Sequence, residues 1–389
     1  MAFSERIARL KSSLIREILA AAQRPEVMSF AGGLPAEPML PKVDWAEMPA
    51  SMGQYGMSEG EPALREAIAA EARALGVPCE ASQVLIVSGS QQTLDLASKL
   101  FIDPGTEVLL EAPTYLAALQ AFQLFGADCI SVPQEADGPE LAALRQRLES
   151  HKPAFAYLIP TFQNPSATRY SEAKREAVAA LLDEFGVTLI EDEPYRELVF
   201  DAGSATPIVS RLKRTSWIYT GTVSKTLLPG LRVGFLVASP DLFPHLLRLK
   251  QAADLHTPGY NQRLVAEVMK DGFLQRHIPT IRAMYKAQRD VMLVALEREM
   301  EGLDVSWTRP VGGMFLWVRL PKGMNAQDLL PEAVERGMAF VPGAPFFADE
   351  AEHNTLRLSY VTVSPAQINQ GMRQFAKAAS EGKLHGVSE

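Results

Sequence analysis

The sequence has few of the features that define several classes of protein. Its 389 residues include two cysteines, Cys79 and Cys129, which are too few for a disulfide framework and form no CxxC pair. We therefore expect a reducing compartment, the cytoplasm. No run of about 18 uninterrupted apolar residues is present, so we expect no membrane span. Charged residues precede the first apolar run, so we expect no signal peptide either.

Positive charge is not in excess. Lys and Arg number 38 against 46 Asp and Glu, giving a formal net charge of −8. This charge disfavours nucleic acid as a partner, because phosphate backbones attract positive surfaces. The six histidines form no HxxxH or HExxH pair, so we expect no metal site. The remaining composition, 47% hydrophobic and 22% charged, is ordinary for a globular protein of two or three domains.

Apolar periodicity divides the chain into three parts. Residues 1–45 combine a predicted amphipathic helix, from Ile7 to Ala22, with an arm rich in glycine and proline. Residues 46–275 alternate helices with short strands that are apolar throughout, which indicates a large α/β unit whose mostly parallel sheet has helices on both faces. Residues 276–389 predict a smaller α+β unit, on which we expect the N-terminal helix and arm to pack.

The ligand site of such a sheet lies at the carboxyl ends of its strands. Strands of the large unit are predicted at residues 84–87, 108–110, 155–159, 187–190, 216–220 and 233–237. Five polar segments follow strands in this set: residues 88–93, 111–115, 161–166, 191–196 and 220–235.

Read alone, the first three of these segments leave a structural alternative open. The turn before Ser90 and Gln91 opens a helix whose free N–H groups suit a phosphate, but it also fits a plain N-cap. The Tyr115 ring, on a turn, could contact a ligand or simply pack. Asn164, before a proline, could present its amide to a ligand or simply form an ordinary turn. Asp192 at the sheet edge needs a partner, and a cationic ring nitrogen would serve.

The fifth segment carries a lysine between two hydroxyl residues, with an arginine seven residues later. Lys225 in a partly buried, electropositive setting loses its proton more easily and can condense with a carbonyl as a Schiff base. Hydroxyl groups and Arg232 nearby suit a phosphate ester. Taken alone, however, a loop lysine is more often solvated.

With these five segments in this order, the chain resembles the fold-type I, pyridoxal-phosphate-dependent aminotransferases of class I/II over nearly its whole length. The resemblance implies a mostly parallel, seven-stranded-type sheet and the cofactor pyridoxal 5′-phosphate. It implies that Lys225 forms the Schiff base and later moves the α-proton of the substrate. It also implies that Asp192 keeps the pyridine nitrogen protonated, so that the ring accepts electrons.

The other site residues follow from the same resemblance. Tyr195, the third catalytic residue, and Asn164 would contact the phenolic oxygen of the cofactor, and Tyr115 would stack on its ring. The phosphate would be held by Ser90, Gln91, Thr222, Ser224 and Arg232. Tyr55 would reach the phosphate of a neighbouring subunit, which implies a homodimer with shared active sites. The substrate would be bound by Arg357 at its α-carboxylate and by Arg24, Gly33, Asn164 and Tyr55.

Within the class, the segments around Arg24, Gly33 and residues 309–315 are similar to bacterial 2-aminoadipate aminotransferases and their kynurenine-active relatives. In that subgroup the arginine matching Arg24 binds the distal carboxylate of a long acidic substrate. An arginine at a helix end that complements the dipole is the alternative. The chain departs from the family pattern at Ser166-Ala167, where Thr-Gly is usual, and at Thr222-Val223, where Ser-Phe is commoner.

The resemblance implies ping-pong transamination, with L-2-aminoadipate as the favoured donor, 2-oxoglutarate as the acceptor and tolerance of other amino acids. Aromatic or kynurenine transamination and C–S β-lyase activity are the enzymatic alternatives, because one scaffold hosts several reactions. The alternative from another class is a ligand-sensing, aminotransferase-like module of a DNA-binding regulator. We expect no winged-helix domain, because the Arg24 segment begins close to Met1, and the net charge also disfavours DNA binding.

Overall fold

A computed structural model describes residues 4–9, 24, 26–41, 54–201, 203 and 205–385 of the chain. Most of the predicted N-terminal helix, residues 10–23, lies outside this part. The described residues form two layered units, each around its own apolar core, and the C-terminal ends of the larger unit's strands face the seam between them. None of the described helices is long and apolar enough to cross a membrane.

The larger unit is built on a sheet whose described strands lie in the order β2-β9-β8-β7-β6-β3-β4-β5. Its strands are β2 (Val84–Val87), β3 (Glu107–Ala112), β4 (Asp128–Glu135), β5 (Gly138–Pro139), β6 (Phe155–Leu158), β7 (Thr188–Asp192), β8 (Trp217–Thr222) and β9 (Gly234–Ala238). All run parallel except β9 and the two-residue β5, which are antiparallel to their neighbours. The predicted α/β class is confirmed, and β5 adds a short eighth strand to the expected seven.

Seven helices of the described residues cover this sheet: α1 (Pro62–Ala74), α2 (Ser90–Phe101), α3 (Leu116–Phe125), α4 (Leu141–Ser150), α5 (Glu172–Phe185), α6 (Phe243–Asp254) and α7 (Gly259–Lys270). Local sequence explains their limits. The α5 helix begins where the Ser171 side chain accepts a hydrogen bond from the Lys174 backbone N–H, and it ends at Gly186, whose φ of 69° is left-handed. Apolar helix faces and strands that are buried on both sides form the core.

The smaller unit combines an antiparallel sheet, β10-β11-β14-β13, with three helices. Its elements are α8 (Phe273–Glu299), β10 (Ser306–Trp307), β11 (Phe315–Arg319), α9 (Ala326–Glu335), β12 (Met338–Ala339), β13 (Val341–Pro342), β14 (Thr355–Ser359) and α10 (Pro365–His385). Side chains from the sheet and helices form its core.

The N-terminal arm, residues 26–41, is attached to the smaller unit. Its strand β1 (Met28–Ser29) pairs in parallel with β12. The Phe30 N–H donates to the Ala339 carbonyl at 2.9 Å, and the Phe30 carbonyl accepts from Ser359 N–H at 2.8 Å. These bonds carry the following arm residues, Ala31 and Gly33, into the seam between the units.

The residues Glu5–Arg9 form a 3-10 turn, which lies elsewhere. The Arg6 guanidinium sits 5.3 Å from the centre of the Phe125 ring on α3. This turn therefore contacts the larger unit, and the predicted packing of the N-terminal helix on the smaller unit, which concerns residues mostly outside the described part, stays a prediction. The predicted domain limits at residues 45 and 275 stay predictions.

Candidate active site

The predicted strand-end segments meet in one cleft of the larger unit. Ten predicted site residues line it: Ser90, Gln91, Tyr115, Asn164, Asp192, Tyr195, Thr222, Ser224, Lys225 and Arg232. They come from the ends of β2, β3, β6, β7 and β8 and from the loop before β9, as expected for ligands at the carboxyl edge of a parallel sheet.

Lys225 lies on a 3-10 turn, Val223–Lys225, directly after β8. Its Nζ donates to the Gly33 carbonyl oxygen of the arm at 2.9 Å. Burial lowers the pKa of its ammonium to about 8, and the charges of Arg357 and Arg232 act in the same direction, while Asp192 opposes them. A substantial share of this lysine is therefore a neutral amine near physiological pH, unlike a solvated lysine.

Asp192, at the end of β7, is 2% exposed, and its two carboxylate oxygens have different surroundings. Oδ2 accepts a hydrogen bond of 2.8 Å from Tyr157 on the neighbouring strand β6. Oδ1 is buried with no hydrogen-bond partner among the described residues. Burial raises the pKa of Asp192 to about 7, with Glu193 adding to the rise and the Tyr157 hydroxyl opposing it. A donor placed at Oδ1 would relieve the cost of this orphaned acceptor.

The turn between β2 and α2 is shaped to hold an anion. Gly89 has a φ of 79° and precedes Ser90, the first residue of α2, whose initial N–H groups have no intrahelical acceptors. Gly234 on β9 lets the two backbones approach, because a Cβ there would lie 2.7 Å from Ser90 N. Arg232, with a left-handed φ of 51°, donates from Nη2 to the Ser88 carbonyl at 3.3 Å.

Two hydroxyls complete this polar wall. Thr222 Oγ1 lies 2.8 Å from Ser224 Oγ and accepts a hydrogen bond of 3.1 Å from the Ser224 backbone N–H. Opposite them, Tyr115 Oη donates to Gln91 Oε1 at 3.4 Å. The departure from Ser-Phe to Thr222-Val223 therefore leaves a hydroxyl facing the cleft.

Arg357 on β14 reaches the cleft from the smaller unit and is 4% exposed. Nη1 donates to Asn164 Oδ1 at 2.6 Å and Nη2 donates to the Ala31 carbonyl at 2.8 Å. Nε has no hydrogen-bond partner in the described part of the chain. The guanidinium carbon lies 4.2 Å from the centre of the Phe315 ring. Burial lowers the pKa of Arg357 to about 10, so the group remains a cation at neutral pH.

Asn164 and Tyr195 also lie together. Asn164 Nδ2 donates to Tyr195 Oη at 3.5 Å, and the Tyr195 ring meets Phe315 edge to face at 5.7 Å. Burial raises the pKa of Tyr195 well above its ordinary value, so its hydroxyl stays a donor. Lysine, carboxylate, phenol, amide and guanidinium thus converge on one small volume.

Sequence reasoning missed a buried layer behind these residues. Tyr157 holds Asp192, and Glu111 at the end of β3 accepts from Tyr170 Oη at 2.7 Å and from Ile159 N–H at 3.0 Å. Burial raises the pKa of Glu111 to about 8. Glu111 also accepts from Gln163 Nε2 at 3.4 Å and so supports the loop that carries Asn164.

Three predicted residues are placed differently from the rest. The Tyr55 side chain is 78% exposed, with its ring edge to face with His256 at 5.9 Å. Arg24 is exposed, and its described hydrogen bond is from the Val27 N–H to its carbonyl. Gly33 enters the site through its carbonyl, and a Cβ there would lie 3.3 Å from the Phe315 ring. The substrate roles of these three residues stay predictions.

A family model for aminotransferases of class I and II matches residues 25–375. This chain belongs to that family. It is 43% identical to a 2-aminoadipate transaminase of Thermus thermophilus over 97% of this chain and 96% of the relative. It is 37% identical to aromatic-amino-acid aminotransferase 1 of Thermococcus litoralis, over 97% and 94% of the two chains.

A solved structure shares the whole architecture. The crystal structure of an α-aminoadipate aminotransferase from Thermus thermophilus, complexed with N-(5'-phosphopyridoxyl)-L-leucine, covers 98% of both chains with a TM-score of 0.90 and 41% identity. The fold is therefore that of the fold-type I aminotransferases, as predicted, and this aminotransferase uses pyridoxal 5'-phosphate.

The residues of the cleft fit this cofactor. Asp192 Oδ1 is a buried acceptor without a partner among the described residues, which suits a ring N–H. The N-terminus of α2, Arg232 and the hydroxyls of Thr222 and Ser224 form the donor set that a phosphate needs. Lys225 supplies an amine of lowered pKa to a carbonyl.

Proposed function

We propose that this aminotransferase takes the amino group of L-2-aminoadipate and transfers it to 2-oxoglutarate, and that it tolerates other amino acids. The single observation that carries the amino-acid site is the buried Arg357 guanidinium, which donates to Asn164 in the wall of the cleft that holds Lys225 and whose Nε is unpaired among the described residues. The relationship to a 2-aminoadipate transaminase at 43% identity supports the choice of donor.

Pyridoxal phosphate supplies, when bound, a carbonyl for the substrate nitrogen and a ring that accepts electrons from the substrate α-carbon. The protein supplies the proton transfers. Lys225 Nζ, with its pKa lowered to about 8, would accept the proton that leaves the substrate α-carbon and donate it again to complete the transfer. Asp192 would stabilise positive charge at the ring nitrogen, and Tyr195 and Asn164 would donate to the phenolic oxygen.

Arg357 binds the α-carboxylate in this proposal. Its Nη1 and Nη2 are oriented by Asn164 and the Ala31 carbonyl, and the Phe315 face supports the cation. These groups come from both units and the arm, so three parts of the chain build the proposed carboxylate site. Ser90, Gln91, Thr222, Ser224 and Arg232 hold the phosphate end.

A single-cuvette absorbance titration tests transamination and its donor. We expect the yellow band of the purified enzyme to bleach on addition of L-2-aminoadipate and to return when 2-oxoglutarate is added. A band that bleaches with kynurenine or an aromatic amino acid but not with L-2-aminoadipate would overturn the donor and leave transamination standing. Release of pyruvate and ammonia from a β-substituted amino acid, with no need for a keto acid, would identify the C–S lyase.

We further propose that Arg24 binds the distal carboxylate of the acidic substrate. Arg24→Ala is then expected to raise KM for L-2-aminoadipate about tenfold or more, the worth of a charge-assisted hydrogen bond. The KM for L-leucine, which has no distal carboxylate, should stay unchanged. Arg309→Ala is the matched control, because Arg309 is an exposed arginine that forms an ion pair with Glu297. Equal losses for both amino acids would exclude this role of Arg24.

We also propose that two copies of this chain form a homodimer with shared sites. Large apolar side chains are exposed close to Tyr55 in the sequence and at the α6–α7 junction, including Met57, Leu255 and Tyr260. An apolar patch of this kind is typical of an interface. In the dimer, Tyr55 reaches the phosphate held by the other subunit.

A further inference from the structure

A buried lysine outside the catalytic cleft lies behind the turn proposed to hold the phosphate. Lys250, on α6, is 0% exposed. Its ammonium donates to Gln92 Oε1 at 2.7 Å, to Asp254 Oδ1 at 2.8 Å and to Thr257 Oγ1 at 3.0 Å. All three ammonium protons therefore have an acceptor, which is the condition for burying a cation at tolerable cost.

The acceptors of Lys250 in turn hold Ser88, the first residue of the turn. Gln92 Oε1 also accepts from the Ser88 N–H at 2.8 Å, and Asp254 Oδ2 accepts from Ser88 Oγ at 3.2 Å. The Ser88 carbonyl accepts from Arg232 Nη2 at 3.3 Å. Each polar group of Ser88 is thus bonded, two of them to partners of Lys250 and one to an arginine of the phosphate wall.

The cluster is held together independently of Ser88. Gln92 Nε2 donates to Asp254 Oδ2 at 2.9 Å, so α2 and α6 are joined beside the lysine. Burial lowers the pKa of Lys250, while its hydrogen bond and ion pair with Asp254 oppose that effect. Loss of the amine would leave the acceptors of Gln92 and Asp254 without their shared donor.

We propose that Lys250 is a positioning residue for the cofactor phosphate. Lys250 fixes Gln92 and Asp254, and these two residues fix Ser88. The position of Ser88 then sets the direction in which the first N–H groups of α2 and the Arg232 side chain point toward one anion. Lys250 itself need not touch the phosphate. The proposal rests on the phosphate site inferred above and extends it to a residue from a different helix.

The test separates the phosphate from the rest of the cofactor. Dissociation constants of pyridoxal 5′-phosphate and of pyridoxal, which lacks the phosphate, are measured on the apoprotein by equilibrium dialysis. For Lys250→Met, affinity for pyridoxal 5′-phosphate should fall about 10- to 100-fold, the range for a lost hydrogen bond to a charged group. Affinity for pyridoxal should not change. Both ligands need the folded protein, so general loss of folding would lower both affinities alike.

Lys99→Met is the matched control. Lys99 is on α2 and pairs with Asp95 one turn away at the surface, without contact to the turn. It should leave both affinities unchanged. Ser88→Ala removes one link and keeps Lys250, and we expect a smaller loss, about three- to tenfold, again for the phosphate form alone.

Equal losses for the two ligands, or no loss in either variant, would overturn the role of Lys250. If Lys250→Met does not fold, the Ser88→Ala ratio decides alone. Failure of the wild-type protein to bind pyridoxal 5′-phosphate more tightly than pyridoxal would instead contradict the phosphate site itself, so the two failures are distinguishable.

Discussion

At the scale of single residues, the surroundings of Lys225 determine its chemistry more than its position in the sequence does. Burial and two nearby guanidinium groups disfavour the ammonium form, whereas Asp192 favours it. The net effect lowers the pKa from 10.5 to about 8. The nucleophilic amine is therefore available at a pH where an exposed lysine is almost entirely protonated.

The pH dependence of cofactor capture follows from this shift. We expect the rate at which the apoprotein condenses with pyridoxal 5′-phosphate to rise about tenfold per pH unit below pH 8 and to level off above it, because the neutral amine predominates only above its pKa. Stopped-flow absorbance measures this rate. Arg357→Met removes a cation that lowers the pKa, so its midpoint should move upward. A wild-type rate that still climbs at pH 10 would contradict the lowered pKa.

Ala167 has a strained backbone, which the sequence suggested only in part through the departure from the usual glycine. Its φ is 60°, a left-handed conformation that suits the glycine usual at this place in the family. The Ala167 N–H donates to the Gln163 carbonyl at 2.7 Å, which holds the backbone in this turn beside Asn164. The strain is therefore stored in the loop that positions a cofactor residue.

Ala167→Gly should stabilise the protein by about 1 kcal/mol, since relief of left-handed strain exceeds the added entropy of the unfolded chain. Urea unfolding of the apoprotein measures the change in the free energy of unfolding. Ala180→Gly, the same substitution at an exposed position inside α5, should destabilise by about 1 kcal/mol. The same sign for both variants would mean that the Ala167 backbone is not strained.

At the scale of elements, adjacent parallel strands place Asp192 against its hydroxyl donor. Tyr157 on β6 is opposite Ile190 on β7 in the register of the sheet, and Asp192 follows two residues later. The bond between Tyr157 and Asp192 therefore depends on the pairing of the two strands. It lowers the pKa of Asp192, which burial has raised to about 7.

Tyr157→Phe removes this donor while keeping the ring. The pKa of Asp192 should then rise further, so the acidic limb of the kcat/KM profile should move to higher pH, and kcat/KM at neutral pH should fall about 10-fold or more. Tyr219→Phe is the control, because it removes the hydroxyl of a tyrosine on a different strand. Tyr219 lies on β8, and its ring is 6.3 Å from that of Phe235. An unchanged pH profile in Tyr157→Phe would show that the bond does not tune the carboxylate.

The sequence predicted the strands that are apolar throughout, and it predicted the cleft residues that directly follow them. It missed β4, because the sequence DCISVPQE of this strand includes a proline and polar residues and is not apolar throughout. The C-terminal end of β4 pairs with the two-residue β5 at the sheet edge. It also missed Tyr157 and Glu111. A tyrosine inside the buried run FAYL looks like a core residue until the register places its hydroxyl against Asp192.

At the scale of the whole molecule, the proposed second-subunit residue is not among the residues that line the cofactor cleft of its own chain. The cleft is lined by the strand ends of the larger unit, whereas Tyr55 is exposed beside His256. His256 Nε2 accepts from the Gly56 N–H at 3.3 Å and so holds the Tyr55 loop on the α6–α7 junction. In the proposed homodimer, this exposed tyrosine would act on the other copy of the chain.

Subunit mixing tests this arrangement. Lys225→Ala should be inactive and Tyr55→Ala should bind the cofactor about tenfold more weakly, as for one lost phosphate hydrogen bond. A heterodimer of the two variants contains one site with both wild-type residues, so dissociating and reassociating the mixture should restore activity at limiting cofactor. If activity does not recover although mass spectrometry detects mixed dimers, then either both residues belong to the same subunit's site or Tyr55 takes no part in the active site.

The arm has a consequence for how this enzyme can change over generations. Cofactor contacts are fixed on the strand ends of the larger unit, whereas Gly33 and the Ala31 carbonyl beside Arg357 come from a separate stretch of chain joined to β12. In the proposed function, mutations in the arm would reshape the space for the substrate side chain while the strand ends that carry the cofactor residues keep their sequence. New amino-acid preferences would then be accessible in few steps to natural selection, and to the engineer who exchanges this stretch.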